Sequence, residues 1–268
     1  MRSAGPDPLD ARIALGMPDM LDRSAFVRPI AHRGLHDIAK GVIENTAPAF
    51  EAAIGNGYGI ECDLRPAADG TPMVFHDLPL GRLVDARGRI SDFKPADLAR
   101  LVYKAAPTHI LTFADFLDLV AGRVPVLVEI KSEWTEPEAA FVKAIARQVK
   151  RYKGPLALMS FDPAVIAALK PLVPKIPRGI VSGLYKGDGW WLDTLDPDRA
   201  WRLSNLIESR PAEPDFFAYH VKALPTPVTR FLREGLGLPL FTWTVRTEAD
   251  LAVASEWADA PIFEGLLV

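Results

Sequence analysis

Short apolar runs separated by stretches of helical spacing recur from residue 29 to residue 263, and that alternation restricts the fold more than any single motif does. Runs such as Val126-Leu-Val-Glu-Ile130, Leu156-Ala-Leu-Met-Ser160 and Phe216-Phe-Ala-Tyr-His220 are apolar on both faces, as strands of a parallel sheet covered on both sides must be. The predicted strands are 29–34, 59–65, 124–131, 156–160, 178–181, 216–220, 239–245 and 261–263. Predicted helices at 44–54, 112–120, 137–150, 163–169, 197–208, 227–234 and 248–257 fall between them, the second opened by Thr112 as an N-cap and stopped by Gly122. Eight strands alternating with helices predict an α/β fold, a (β/α)8 or TIM barrel, with a short inserted segment after the second strand. A chain of 268 residues, 49% of them hydrophobic, buries enough surface to form it as one domain over 1–268. Residues 1–28 are expected to cap the bottom of the barrel, and 78–110 to form a small insertion over the site.

Two of the strands carry charge where a core strand normally does not. Side chains alternate along a strand, so Glu61 and Asp63 point to one side while Ile60, Cys62 and Leu64 form an apolar face on the other. Two carboxylates a strand step apart repel unless a cation lies between them, and hard divalent cations prefer such oxygens. A solvated pair on an edge strand is the alternative. Glu129 and Lys131 repeat the spacing at the tip of a buried run, where they form either part of a site or a structural ion pair.

His32-Arg-Gly34, Glu44-Asn-Thr46 followed by Ala49-Phe50 and Ala53, Glu61-x-Asp63, Asp69-Gly70, His76-Asp77, Glu129-Ile-Lys131 and Trp243-Thr-Val245 occur in this order. Together they resemble the ordered motifs of the glycerophosphodiester phosphodiesterase family, from about residue 29 to near the C-terminus. The resemblance implies one divalent cation, Mg2+ or Ca2+, held by Glu61, Asp63 and Glu129. It implies His32 and His76 as a general acid and base pair, suited by the one side chain that changes charge near neutral pH without special tuning; which is acid and which is base stays open. Arg33 and Lys131 are expected on phosphate oxygens. Glu44 either orients Arg33 or a substrate hydroxyl or starts its helix, and Trp243 either walls the pocket against a glycerol backbone or packs in the core. Phe161 is a further candidate for the pocket lining, whereas His36, His109 and His220 match no motif and read as structural or surface residues. Two positions depart from the family pattern: the last strand ends Ile262-Phe-Glu264 rather than in Thr-Asp, and Ala67-Ala68 replaces the usual Thr before Asp69-Gly70.

The implied activity is metal-dependent hydrolysis of a small-molecule glycerophosphodiester to sn-glycerol 3-phosphate and an alcohol, either by direct attack of water or through a cyclic phosphate. Two other readings stand beside it: an enzyme of the phospholipase D type acting on lysophospholipid or sphingomyelin, and a non-catalytic protein that binds glycerophosphodiesters. A net charge of −3 with no Lys/Arg-rich run gives no electrostatic footprint for nucleic acid. No apolar run reaches the roughly 18 residues of a membrane span, so no stable membrane insertion is expected. Cys62 is the only cysteine, which excludes an intrachain disulfide, and residues 1–26 lack the apolar run of a signal peptide; both fit a cytoplasmic location.

Overall fold

The computed structural model describes residues 20–186, 189 and 191–268. Eight parallel strands close on themselves: β1 (Ile30–Ala31), β2 (Gly59–Pro66), β6 (Val126–Ile130), β7 (Leu156–Ser160), β8 (Arg178–Ser182), β9 (Phe216–His220), β10 (Leu240–Val245) and β11 (Ala260–Phe263). Pairing of β1 with both β11 and β2 completes the ring. A short strand, β3 (Pro72–Val74), runs antiparallel beside the end of β2. The expected barrel is the observed one.

Alternation along the strands sorts side chains into two layers. Ile60, Cys62 and Leu64 of β2 and Val126, Val128 and Ile130 of β6 point outward, into a core shared with α2 (Ala47–Gly55), α4 (Phe113–Val120) and α5 (Ala139–Val149). Phe113, Phe116, Leu117 and Val120 form the buried face of α4, whose first turn is closed by a capping box between Thr112 and Asp115. Phe50 of α2 meets Phe116 edge to face, with centroids 4.6 Å apart; each such buried ring contributes on the order of 2–3 kcal/mol. Ile30, Leu127, Ala157, Phe216, Phe241 and Ala260 fill the barrel interior. In β2 and β6 that interior layer continues upward as Glu61, Asp63 and Glu129, all buried, with Asp63 paired in register with Glu129.

Of the expected N-terminal cap, residues 1–19 lie outside the described residues. Leu21 and Phe26 are buried in the interior cluster, and α1 (Arg23–Phe26) is capped by the carboxylate of Asp22. Between β3 and α4 the chain forms 3-10 turns at Leu80–Arg82 and Ile90–Asp92, a single helical turn α3 (Pro95–Leu98) and a hairpin of β4 (Val102–Tyr103) with β5 (Ala106–His109). Leu80, Leu83, Ile90, Leu98 and Tyr103 pack there with Met73 and Phe75 in a small core of their own. Sequence periodicity misses this hairpin because its strands are two and four residues long. The remaining helices, α6 (Pro163–Leu169), α7 (Pro197–Ser204), α8 (Pro227–Arg230) and α9 (Glu248–Trp257), follow β7 to β10. Of these, α7 stops at Ser204 short of its predicted end and is followed by a 3-10 segment at Ile207–Ala212, whereas α8 continues through its predicted end as a π-helical turn at Phe231–Gly235. Among the described residues no helix is long and apolar enough to cross a membrane.

Candidate active site

The C-terminal ends of the strands surround a cavity of about 790 Å³. Glu61, Asp63 and Glu129 lie at its floor with one carboxylate oxygen from each within 4.8 Å of the others. The Glu61 Oε2 accepts a hydrogen bond from the backbone N–H of Arg33 at 2.9 Å, whereas its Oε1 is buried without any hydrogen-bond partner. Burial, with the like charges of Asp63 and Glu129 added to it, pushes the Glu61 carboxyl well above the usual range. Asp63 goes the other way: Lys131, 2.8 Å from its Oδ1, together with His76 and Arg33, outweighs burial and holds it well below. An orphaned buried carboxylate oxygen beside two further acids is an arrangement that a hard divalent cation satisfies, and the three residues fit such an ion.

Backbone conformation holds the carboxylates of this cluster in place. Arg33 and Asn45 both have positive φ, 59° and 57°, an unfavourable conformation for residues with a side chain. At Arg33 the turn aims the amide at Glu61; at Asn45 it lets the side-chain amide donate to Asp63 Oδ2 at 2.8 Å. Gly34 follows with φ 79°, and a Cβ there would come within 2.8 Å of the Ala49 backbone, so only glycine permits the loop to lie against α2.

The two histidines are held alike. His32 is buried, with Nδ1 2.5 Å from Glu264 Oε2 and Nε2 3.9 Å from Glu61 Oε2. Burial lowers its pKa although Glu264 opposes the shift. His76, just beyond β3, has Nδ1 2.7 Å from Asp77 Oδ1. Arg246 Nε donates to Glu264 at 2.6 Å, and Arg82 reaches both Asp77 and Glu44. Both carboxylates are thereby kept well below the usual range despite their burial, Glu264 by His32, His36 and Arg246 and Asp77 by His76 and Arg82. The apolar wall of the cavity comprises Met159, Phe161, Val181, Trp243 and Ile262, with Phe161 edge to face on Trp243 at 5.2 Å.

A family model described as the glycerophosphoryl diester phosphodiesterase family matches residues 32–263. The chain belongs to the glycerophosphoryl diester phosphodiesterase family. It is therefore an enzyme of the phosphodiesterase class. Among its relatives, glycerophosphodiester phosphodiesterase 1 of Mus musculus is 35% identical, the match covering 90% of this chain and 77% of the mouse protein; that of Bos taurus is 26% identical over the same shares. A phosphodiesterase from Oleispira antarctica, solved in complex with the product sn-glycerol-3-phosphate, superposes with a TM-score of 0.71 at 21% identity, covering 88% of this chain and 92% of that one. The glycerophosphodiester phosphodiesterase of Thermotoga maritima gives a TM-score of 0.64 at 21% identity, covering 88% and 93%.

In this phosphodiesterase the sequence-derived candidates His32, Arg33, Glu61, His76, Glu129, Lys131 and Trp243 all line the one cavity, with Asp63 buried behind them. Of the readings for Glu44, the contact with Arg33 is the one present: its helix begins at Ala47, and Glu44 lies between Arg33 Nη1 at 2.8 Å and Arg82 Nη2 at 2.7 Å. Arg33, expected on phosphate, turns its guanidinium to Glu44 and Asp63, while Lys131 is paired with Asp63 and Glu129. His36 and His220, read as structural or surface residues, also touch the site's framework: His36 Nε2 is 3.6 Å from Glu264, and the His220 ring lies 4.9 Å from that of Trp243. Asn45, Arg65, Arg82, Arg246 and Glu264 were not singled out as site residues from sequence. Arg65 alone had a usable signal, since it continues the Glu61, Asp63 alternation on β2.

Proposed function

We propose that the chain hydrolyses glycerophosphodiesters to sn-glycerol 3-phosphate and an alcohol, with His32 and His76 as the proton-transfer pair. The observation that carries this reading is the single cavity lined by two carboxylate-bound imidazoles and the buried Glu61, Asp63 and Glu129 cluster. Cleaving a phosphodiester requires its charge to be neutralised, a nucleophile to be deprotonated and the departing alkoxide to be protonated. A divalent cation, Mg2+ or Ca2+, bound by Glu61, Asp63 and Glu129 would supply charge neutralisation and Lewis acidity. Glu264 and Asp77 hold Nδ1 of their histidines, so Nε2 of each ring is the atom left to exchange a proton with substrate. Glu44 steadies Arg33, whose remaining N–H groups, with those of Lys131, contact phosphate oxygens. Trp243 and Phe161 present the apolar surface on which the carbon skeleton of glycerol rests and from which water is excluded.

The test is purified protein with glycerophosphocholine and Mg2+ or Ca2+, the products followed by phosphorus NMR. The reading expects sn-glycerol 3-phosphate and choline, and loss of turnover by a factor of about a thousand or more in folded His32→Ala and His76→Ala proteins. Equal turnover in those variants would refute the assignment of the two imidazoles.

A further inference from the structure

Among the described residues four arginine and lysine side chains line the cavity: Arg33, Arg65, Lys131 and Arg246. Three are occupied by acids. Arg33 lies against Glu44 and Asp63, Lys131 against Asp63 and Glu129, and Arg246 against Glu264. Arg65 is different. It projects from β2 on the same face as Glu61 and Asp63, and its Nε donates to the backbone carbonyl of His76 at 2.5 Å; among the described residues no carboxylate comes within ion-pairing distance of it. A guanidinium taken largely out of water with a carbonyl as its only partner keeps N–H donors available in a fixed fork.

Counting charge around the cavity leads to the same residue. Glu61, Asp63 and Glu129 together with Lys131 leave two negative charges, the complement of one divalent cation. Glu44 and Asp77 are matched by Arg33 and Arg82, Glu264 by Arg246, and Glu133 by Arg89. Among the described residues, what remains is the single positive charge of Arg65, and a phosphodiester carries a single negative one.

Resting on the phosphodiesterase reading, we propose that Arg65 is a further anchor of the scissile phosphoryl group beside Arg33 and Lys131, binding its non-bridging oxygens through its terminal N–H groups with a charge that no acid of the floor has already balanced. The anchor sits beside His76, because its Nε holds the His76 carbonyl. It therefore fixes the phosphorus at a set distance from that imidazole as well as binding charge.

Arg65→Gln keeps a donor for the His76 carbonyl and removes the charge; Arg65→Lys keeps the charge and loses the fork. Calorimetric binding of sn-glycerol 3-phosphate in the presence of Mg2+, with circular dichroism as the control for folding, is expected to weaken at least tenfold in Arg65→Gln and less in Arg65→Lys. Hydrolysis of glycerophosphocholine, glycerophosphoglycerol and glycerophosphoserine is expected to fall by a similar factor for all three in Arg65→Gln, mostly in KM. Unchanged binding and KM in a folded Arg65→Gln protein would overturn the proposal while leaving the hydrolytic reading intact. A loss confined to glycerophosphoserine would also overturn it, placing Arg65 on the head group. Wild-type protein that binds sn-glycerol 3-phosphate through Arg65 yet cleaves no diester would sustain the anchor and refute the hydrolysis. Wild-type protein that neither binds nor cleaves would refute both.

Discussion

His32 Nδ1 lies 2.5 Å from Glu264 Oε2, a contact between residues 232 apart in the chain. The pairing closes the barrel chemically as β1 and β11 close it by hydrogen bonds, since the His32 amide also donates to Phe263. Carboxylate contact at Nδ1 sets which ring nitrogen carries the proton and how the ring is turned. Glu264→Gln keeps the size of the side chain and can still accept a hydrogen bond, but loses the charge that stabilises an imidazolium. Its kcat is expected to fall by about 10- to 100-fold with little change in KM, as for the loss of an outer-shell partner of a functional histidine. Steady-state kinetics check this, and a KM effect alone would contradict it.

Arg82 performs the equivalent service for His76 from the inserted segment, gripping Asp77 and Glu44 at once. Its side chain is 46% exposed, so solvent screens these pairs. Arg82→Ala is expected to cost only about 1 kcal/mol, roughly a fivefold loss of kcat. Exogenous guanidinium at millimolar concentration should restore part of it because the vacated position opens to solvent; failure of Arg82→Lys and guanidinium alike to restore activity would argue that the residue acts only in folding the insertion.

The same carboxylates make stability depend on pH in a defined direction. Glu264 has its folded-state pKa below the ordinary value of 4.5, so its ion pairs stabilise the protein fully above that pH and the contribution disappears as pH falls below it. The difference in melting temperature between wild type and Glu264→Gln should therefore be largest near pH 7 and shrink between pH 5 and pH 3.5. A difference that grows on acidification has the wrong sign.

Glu61 supplies a crossing prediction. Without a divalent cation it is forced upward by burial and by Asp63 and Glu129, so Glu61→Gln removes a repulsion and is expected to raise the melting temperature of metal-free protein by a few degrees. Added Mg2+ or Ca2+ should stabilise wild type, by about 2.7 kcal/mol at a hundred times Kd, and leave Glu61→Gln nearly unmoved. Parallel responses of the two proteins to metal in thermal denaturation would mean that Glu61 is no ligand.

The strand order and the floor of the cavity were legible because both follow from period-two alternation: Glu61 and Asp63 had to share a face, and Glu129 on the neighbouring apolar run had to lie close to them. The framework around them was not. Glu264 meets His32 only because the barrel closes, and Arg82 meets Asp77 and Glu44 only because the insertion folds on its own small core, so no local pattern encodes either contact. Glu44 looked like a helix start because it precedes an apolar stretch of helical spacing. Thr46 is the N-cap instead, which leaves Glu44 free to balance two arginines. Asn45 was obscured by its left-handed backbone, which local propensity does not foresee in a non-glycine residue.

Turnover of glycerophosphocholine by metal-stripped protein, titrated with Mg2+ or Ca2+ and compared with Glu61→Gln and Asp63→Asn, tests most directly whether the buried acids hold a catalytically required cation beside the two imidazoles. The expected result is negligible release of sn-glycerol 3-phosphate without metal, saturable recovery on titration of the wild type, and none in either variant. Full activity in the stripped protein, or variants that recover as the wild type does, would contradict it.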